Sequence, residues 1–157
     1  MKLAIVGVTG MVGREILEVL SEKNFNITEL IPVASEKSCG NTISYNGKSH
    51  EIISLEELLK KEVDIALFSA GREVSKIWAP KLAEKECRVI DNSSYWRMCS
   101  KHKLIVPEIN GNELTKKDMI IANPNCSTAQ MVMALKPIHD EAIIEKEFHR
   151  LTDKNSM

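Results

Sequence analysis

The stretch ANPNCSTAQ, residues 122–130, places one cysteine, Cys126, behind two asparagines and ahead of a hydroxyl pair, with apolar runs on either side. A cysteine so placed can be a buried filler, a metal ligand or a nucleophile. The metal reading has no support. The four cysteines, at 39, 87, 99 and 126, form no CxxC pair and no Cys/His cluster at zinc-like spacing. In a reducing compartment they are free thiols, most of them small buried hydrophobes. Cys126 stands apart because a helix-like segment begins there. Unpaired N–H groups and the positive end of the helix dipole stabilise a thiolate at such a point, which suits a nucleophile. A buried core thiol, the commonest fate of a cysteine, stays open as the alternative.

Gly7, Gly10 and Gly13 make a second chemical feature, a GxxGxxG loop directly after a β-branched apolar run. The N–H groups of such a loop can face a pyrophosphate, and glycine keeps side chains out of its way. Glycines also serve in plain strand-to-helix turns, but a position at the head of the first helix points to a dinucleotide site. In NAD sites a carboxylate about 20 residues further on usually holds the ribose hydroxyls. Here the second strand ends in ASEKSCG, residues 34–40. Glu36 can take that part, whereas Ser35, Lys37 and Ser38 offer hydroxyls and a cation suited to a 2′-phosphate. NADP is the favoured ligand, and a solvated loop with an incidental lysine is the bland alternative.

Both features need elements to hold them. Residues 2–8 read as a strand, and 11–23 as a helix with apolar residues at 12, 16, 17, 19 and 20. Strands follow at 27–35, 63–70, 87–93, 103–110 and 119–124, with helices at 54–61, 73–86 and 126–139, the last able to run slightly past Pro137. Ser54 and Glu57 have capping-box spacing, and the Asn46-Gly47 pair marks a small hairpin within 42–52. Val- and Ile-rich strands alternating with helices predict an α/β, Rossmann-like, doubly wound and mainly parallel sheet covered on both faces. Cys126 then falls at the C-terminal end of a strand, the edge from which the glycine loop also emerges, so thiol and cofactor can meet. The expected organisation is a cofactor domain over 1–125, a helix over 126–144 with the cysteine at its start, and a charged tail over 145–157.

A chain of 157 residues suffices for one domain with a real core. With 43% hydrophobic and 27% charged residues and a formal net charge of -1, neither disorder nor a nucleic-acid surface is favoured. The apolar start MKLAIVGVTG is too short and poorly flanked for a signal peptide, and no stretch approaches the ~20 apolar residues of a membrane span. A cytoplasmic protein with no membrane partner is expected.

The segments GVTGMVGREILEVL, ASEKSCG, LFSAGREVSKIWAP, VIDNSSYWRM, VPEIN and NPNCSTAQ follow the order and approximate spacing seen in aspartate-semialdehyde dehydrogenases. The chain resembles that family over about residues 1–144, and NPNCST is a highly diagnostic element; related reductases and dehydrogenases resemble PGCYPT or SCTTN there. The resemblance implies NADPH-dependent reduction of L-aspartyl 4-phosphate to L-aspartate 4-semialdehyde and phosphate, a step toward diaminopimelate and lysine, threonine and methionine. Cys126 would form the acyl-enzyme, with backbone N–H groups around Asn125 and Cys126 as oxyanion donors. Arg97 and Asn92 would bind the substrate, Arg97 through its phosphate; for Arg97 a surface cation is the bland alternative. Gly7, Thr9, Gly10, Met11, Val12 and Gly13 would surround the pyrophosphate, and Ser69, Ala70 and Gly71 would lie near the cofactor's far end.

Three departures from the family pattern stand out. Lys37 replaces a usual arginine, which loses a bidentate grip on phosphate and makes NADP preference less secure. Tyr95 and Trp96 replace a usual Ala-Phe pair, which predicts a tighter pocket beside Arg97. Family members run to more than twice this length, and their second α+β domain supplies substrate-binding residues, a general-base histidine and most of a homodimer surface. The chain is therefore expected to be the N-terminal part, weakly active or inactive alone, with its own oligomeric state open. His139 and His149 read as solvated helix residues. The competing reading is a non-enzymatic NADP-binding module, a remnant or the partner of another chain.

Overall fold

The computed structural model describes residues 1–144. Six strands form one sheet in the order β2-β1-β5-β6-β8-β7, every pairing parallel. They are β1 (Lys2–Val6), β2 (Glu29–Val33), β5 (Ile65–Phe68), β6 (Arg88–Asp91), β7 (Lys103–Leu104) and β8 (Ile120–Ala122). A separate antiparallel hairpin joins β3 (Thr42–Tyr45) to β4 (Lys48–Glu51) through Asn46 and Gly47, both at positive φ, as the turn signal predicts. The doubly wound α/β expectation is met.

Burial explains the strand composition. In β1 four consecutive residues, Leu3 to Val6, are buried, because helices pack on both faces of a parallel sheet. On one face Leu3, Ile5 and Leu30 meet Leu20 and Ile16 of α1 (Met11–Glu22) together with Tyr45 of the hairpin. On the other, Ala4, Val6, Ala66, Phe68 and Val89 meet Leu58 of α2 (Leu55–Leu58) and Ala79 and Leu82 of α3 (Arg72–Ala83). Ser54 caps α2 in the predicted capping box with Glu57. Pro32, which lacks an N–H, is tolerated because β2 is an edge strand.

The run 103–110 departs from its expectation as one strand. Only Lys103 and Leu104 pair, and Pro107–Asn110 forms a helical turn, α4. Proline suits the first helical position, where its missing N–H costs nothing. The side chain of Asn110 closes the turn, its Oδ1 accepting from Val106 N–H at 2.9 Å and its Nδ2 donating to Leu104 O at 3.0 Å. The last helix, α5 (Cys126–Ala142), starts as predicted and passes Pro137, with no buried residue along it. The expected charged tail, 145–157, lies outside the described residues.

Candidate cofactor and thiol site

Hydrogen bonds beyond the strand ends lay four loops along one edge of the sheet. Gly7 N–H donates to Val33 O at 2.9 Å, Ser69 N–H to Val6 O at 2.8 Å, Asn92 N–H to Phe68 O at 3.0 Å and Asn123 N–H to Asp91 O at 2.8 Å. Since all strands are parallel, each loop follows a C-terminal strand end. Strand order reverses between β2-β1 and β1-β5, and ligands of open α/β sheets bind at that kind of switch point.

The glycine loop occupies it. Gly7 has φ +91°, and a Cβ there would stand 2.5 Å from Ser69 O. Gly13 packs against the backbone of Gly7 and Val8 with no room for a Cβ. Gly10 is the N-cap of α1, which has no side-chain cap and no acid in its first turn, so its N–H groups point out unchallenged by a local carboxylate. A cavity of about 400 Å³ opens beside it, lined by Gly7, Thr9, Gly10, Ser35, Ser69 and Ala70, all anticipated from the sequence, and also by Leu55 and Val74, which were not. Those two come from α2 and α3, and only the tertiary packing brings them in. Met11 is exposed, and Val12 lines a separate apolar groove with Ile16, Val19 and Leu67, so neither side chain lines this cavity. Ser35 and Lys37 are exposed beside the rim, and Ser38 N–H donates to Ser35 O at 2.8 Å in a tight turn. Gly71, at φ +86°, is the N-cap of α3.

Cys126 opens α5, and Asn125 is the N-cap. The Asn125 Oδ1 accepts from Ser127 N–H at 3.0 Å and Ser127 Oγ–H at 2.7 Å, and lies 3.6 Å from Cys126 Sγ. The asparagine therefore fixes the turn that presents the thiol. Cys126 is exposed, Cys39 and Cys99 are half-buried, and Cys87 is buried, where desolvation pushes its thiol up to about 12.

Arg97 reaches the same edge. Its Nε donates to Asn123 O at 3.0 Å and its Nη2 to Asn92 O at 2.8 Å. Asn123 Nδ2 in turn donates to Asn92 Oδ1 at 2.6 Å, so Arg97, Asn92 and Asn123 form one knot three residues before Cys126. Asn123 was missed from the sequence, where NPNC drew attention only to the asparagine next to the thiol. The expected tightening by Trp96 does not occur beside Arg97: the indole is buried in the core, edge-on to His102 with ring centroids 4.7 Å apart. Tyr95 stays half-buried with Arg72 and Lys76 near its ring, at 5.6 and 5.8 Å.

The family model described as semialdehyde dehydrogenase, NAD binding domain, matches residues 2–117. The chain belongs to that family. Cys126 lies nine residues beyond the matched stretch. Among individual proteins, the chain is 53% identical over 148 residues to an aspartate-semialdehyde dehydrogenase of Aquifex aeolicus, a match that covers 92% of this chain and 44% of the relative. It superposes with TM-score 0.88 on a crystal structure of aspartate semialdehyde dehydrogenase II from Vibrio cholerae complexed with ASA, at 49% identity, over 92% of this chain and 48% of that one. The chain thus spans less than half the length of these relatives. No helix among the described residues is long and apolar enough to cross a membrane.

Proposed function

We propose that this chain is the cofactor-binding and nucleophile-bearing part of an NADPH-dependent aspartate-semialdehyde dehydrogenase, acting on L-aspartyl 4-phosphate or, in reverse, on L-aspartate 4-semialdehyde and phosphate. One observation carries the reading: the loops bearing the glycine cradle, Arg97 and Cys126 leave the same edge of one parallel sheet. Relatives that match over 92% of this chain are named aspartate-semialdehyde dehydrogenases, which supports the reading.

The dinucleotide fits the residues present. Gly7 and Gly13 leave a backbone cradle that any Cβ would fill, next to an uncapped helix N-terminus. Gly7, Thr9, Gly10, Ser35, Ser69 and Ala70 would hold it, with Lys37 and Ser38 toward a 2′-phosphate. When bound, its nicotinamide supplies the hydride that releases the acyl group as aldehyde.

The chain's own residues do the rest. The Cys126 thiolate attacks the acyl carbon of aspartyl phosphate, a C–S bond forms, and the bond to the phosphate oxygen breaks with its electron pair leaving on phosphate. Arg97, with Nε and Nη2 engaged by the backbone, offers Nη1 to that phosphate. Asn125 holds the first turn of α5, whose N–H groups can receive the oxyanion. A second reading, a binding module that works with another chain, has the exposed α5 in its favour, since no residue of that helix is buried.

Timed iodoacetamide labelling with peptide mapping tests the reading. Cys126 is expected to label first and Cys87 last, with inorganic phosphate slowing Cys126 in the wild type but not in Arg97→Ala. Indifference of Cys126 to phosphate would overturn the assignment of Arg97, and first labelling of Cys39 or Cys99 would overturn that of the nucleophile.

A further inference from the structure

The Asp91 side chain, at the end of β6, is fully buried, and every hydrogen bond it makes is one that it accepts. Its Oδ2 takes the hydroxyl of Ser75 at 2.8 Å and that of Ser93 at 2.6 Å, while Oδ1 takes Ser93 N–H at 3.0 Å. Both hydroxyls are acceptors in turn. Trp96 Nε1–H donates to Ser75 Oγ at 2.8 Å, and Tyr95 N–H to Ser93 Oγ at 3.2 Å. Two donor chains therefore run from the 95–96 turn through a serine and end on the same carboxylate. Bonds aligned in this way polarise and strengthen one another, most of all away from water.

Energetics suggest that the cluster serves more than packing. Burying a carboxylate is costly even when its bonds are satisfied, and apolar residues of similar volume often close a core at least as well. What the network provides is a unique position for Trp96: its indole is tied to α3 through Ser75, and the turn that carries it is tied to β6 through Ser93. Arg97 is the next residue, and its guanidinium reaches Asn92 O and Asn123 O only if that turn is in place.

We infer that Asp91 is a positioning residue, which acts through Ser75, Ser93 and Trp96 to hold Arg97 against the backbone of Asn92 and Asn123. This goes one step behind the proposed role of Arg97 and rests on that role only for its second readout.

Asp91→Asn is the near-isosteric probe. A carboxamide puts an N–H₂ donor in place of one carboxylate oxygen, so either Ser93 N–H or, in the flipped orientation, both hydroxyls lose their acceptor. Proton exchange of the Arg97 Nε–H is followed by NMR in the ¹⁵N-labelled chain, the signal being assigned by its loss in Arg97→Lys. Exchange is expected to quicken about tenfold in Asp91→Asn, the effect of losing roughly one hydrogen bond, while amides of β1 and β5 keep their protection. Ser75→Ala, which leaves the carboxylate both of its Ser93 donors, gives the same result and carries the test if Asp91→Asn does not fold. Unchanged Arg97 exchange in a folded variant overturns the inference, as does a parallel loss of protection in β1 and β5 in both variants. The second readout is the phosphate concentration that half-protects Cys126, expected to rise several-fold in Asp91→Asn. Faster Arg97 exchange with no phosphate protection even in the wild type would uphold Asp91 and overturn the phosphate-binding role of Arg97.

Discussion

Gly13 lies so close beneath Gly7 that a Cβ on Gly13 would run into the Gly7 carbonyl oxygen and stand 2.7 Å from the Cα of Val8. Both obstacles are backbone and cannot swing aside. Gly13→Ala is therefore expected to push α1 away from the loop, costing about 1–3 kcal/mol of stability and most of the affinity for NADPH. At Gly10 the added Cβ would meet Gly7 O at 3.3 Å, a strain of a few tenths of an ångström, so Gly10→Ala serves as the milder comparison. Thermal denaturation and calorimetric titration of the two variants check this; equal NADPH affinity in both would mean that the cradle is not the cofactor's.

Choice of cofactor is expected to depend on an exposed lysine. Lys37 sits with Ser35 and Ser38 in the turn after β2. A charge-assisted bond to a 2′-phosphate at such a site is expected to favour NADPH over NADH by roughly 1–2 kcal/mol, about five- to thirtyfold. Lys37→Ala should bring the two near parity, and Lys37→Arg should widen the gap because guanidinium binds phosphate bidentately. Titration with both cofactors decides, and equal affinity in the wild type removes the NADP assignment.

What the sequence disclosed and what it hid have a common physical basis. Strands with unbroken apolar runs, such as β1 and β5, announce burial on both faces, and the glycine spacing announces a backbone approach. Those signals are local. The run 103–110 misled because Val106 and Ile109 look like strand residues, while the outcome turned on Pro107 and on the reach of the Asn110 side chain over the preceding backbone. Asn123, Leu55 and Val74 belong to the candidate site through contacts between distant segments, for which a single sequence has no marker. Trp96 reads from the sequence as tightening the pocket beside Arg97, and its bond to Ser75, 21 residues away, is what places it in the core.

Stability should respond to pH through His102. Burial against Trp96 holds the imidazole below its ordinary value of 6.5, partly offset by a backbone hydrogen bond at Ile120. Because the folded-state value is the lower one, the unfolded chain binds the proton more readily. The contribution is thus fully present above the unfolded value and is lost as pH falls from about 6.5 toward the folded value. Melting temperatures measured from pH 7.5 to 5 should fall more steeply for the wild type than for His102→Phe, which keeps an aromatic ring against Trp96. Parallel curves would show that His102 does not titrate on unfolding.

Turnover by this chain alone is expected to be slight. His139 lies thirteen residues along α5 from Cys126, about 20 Å at helical rise, and His102 is packed behind Trp96. With neither of these histidines beside the thiol, general acid–base help worth roughly 10²- to 10⁴-fold is expected to be missing from the described residues. Absorbance at 340 nm with aspartate semialdehyde, phosphate and NADP, and Cys126→Ala as the blank, measures what remains. Robust Cys126-dependent turnover would locate the base among residues 145–157 or in a partner.

The pairing of β1 with β5 imposes an order of events on the growing chain. Leu3 lies opposite Ile65, and Lys2 N–H donates to the carboxylate of Asp64 at 2.7 Å, a separation of 62 positions in the sequence. At translation speeds of about 5–20 residues per second, the glycine loop leaves the ribosome roughly 3–12 s before Ser69 and Ala70, two of the residues that line its cavity. During that interval β1 has only β2 for a neighbour, and one edge of a strand that is apolar from Leu3 to Val6 stands unpaired. A dinucleotide held in this cavity is expected to stabilise the nascent protein only after Val74, the last residue of the lining, has emerged, so the segment that looks most like a finished binding motif in the sequence waits on later segments to become one.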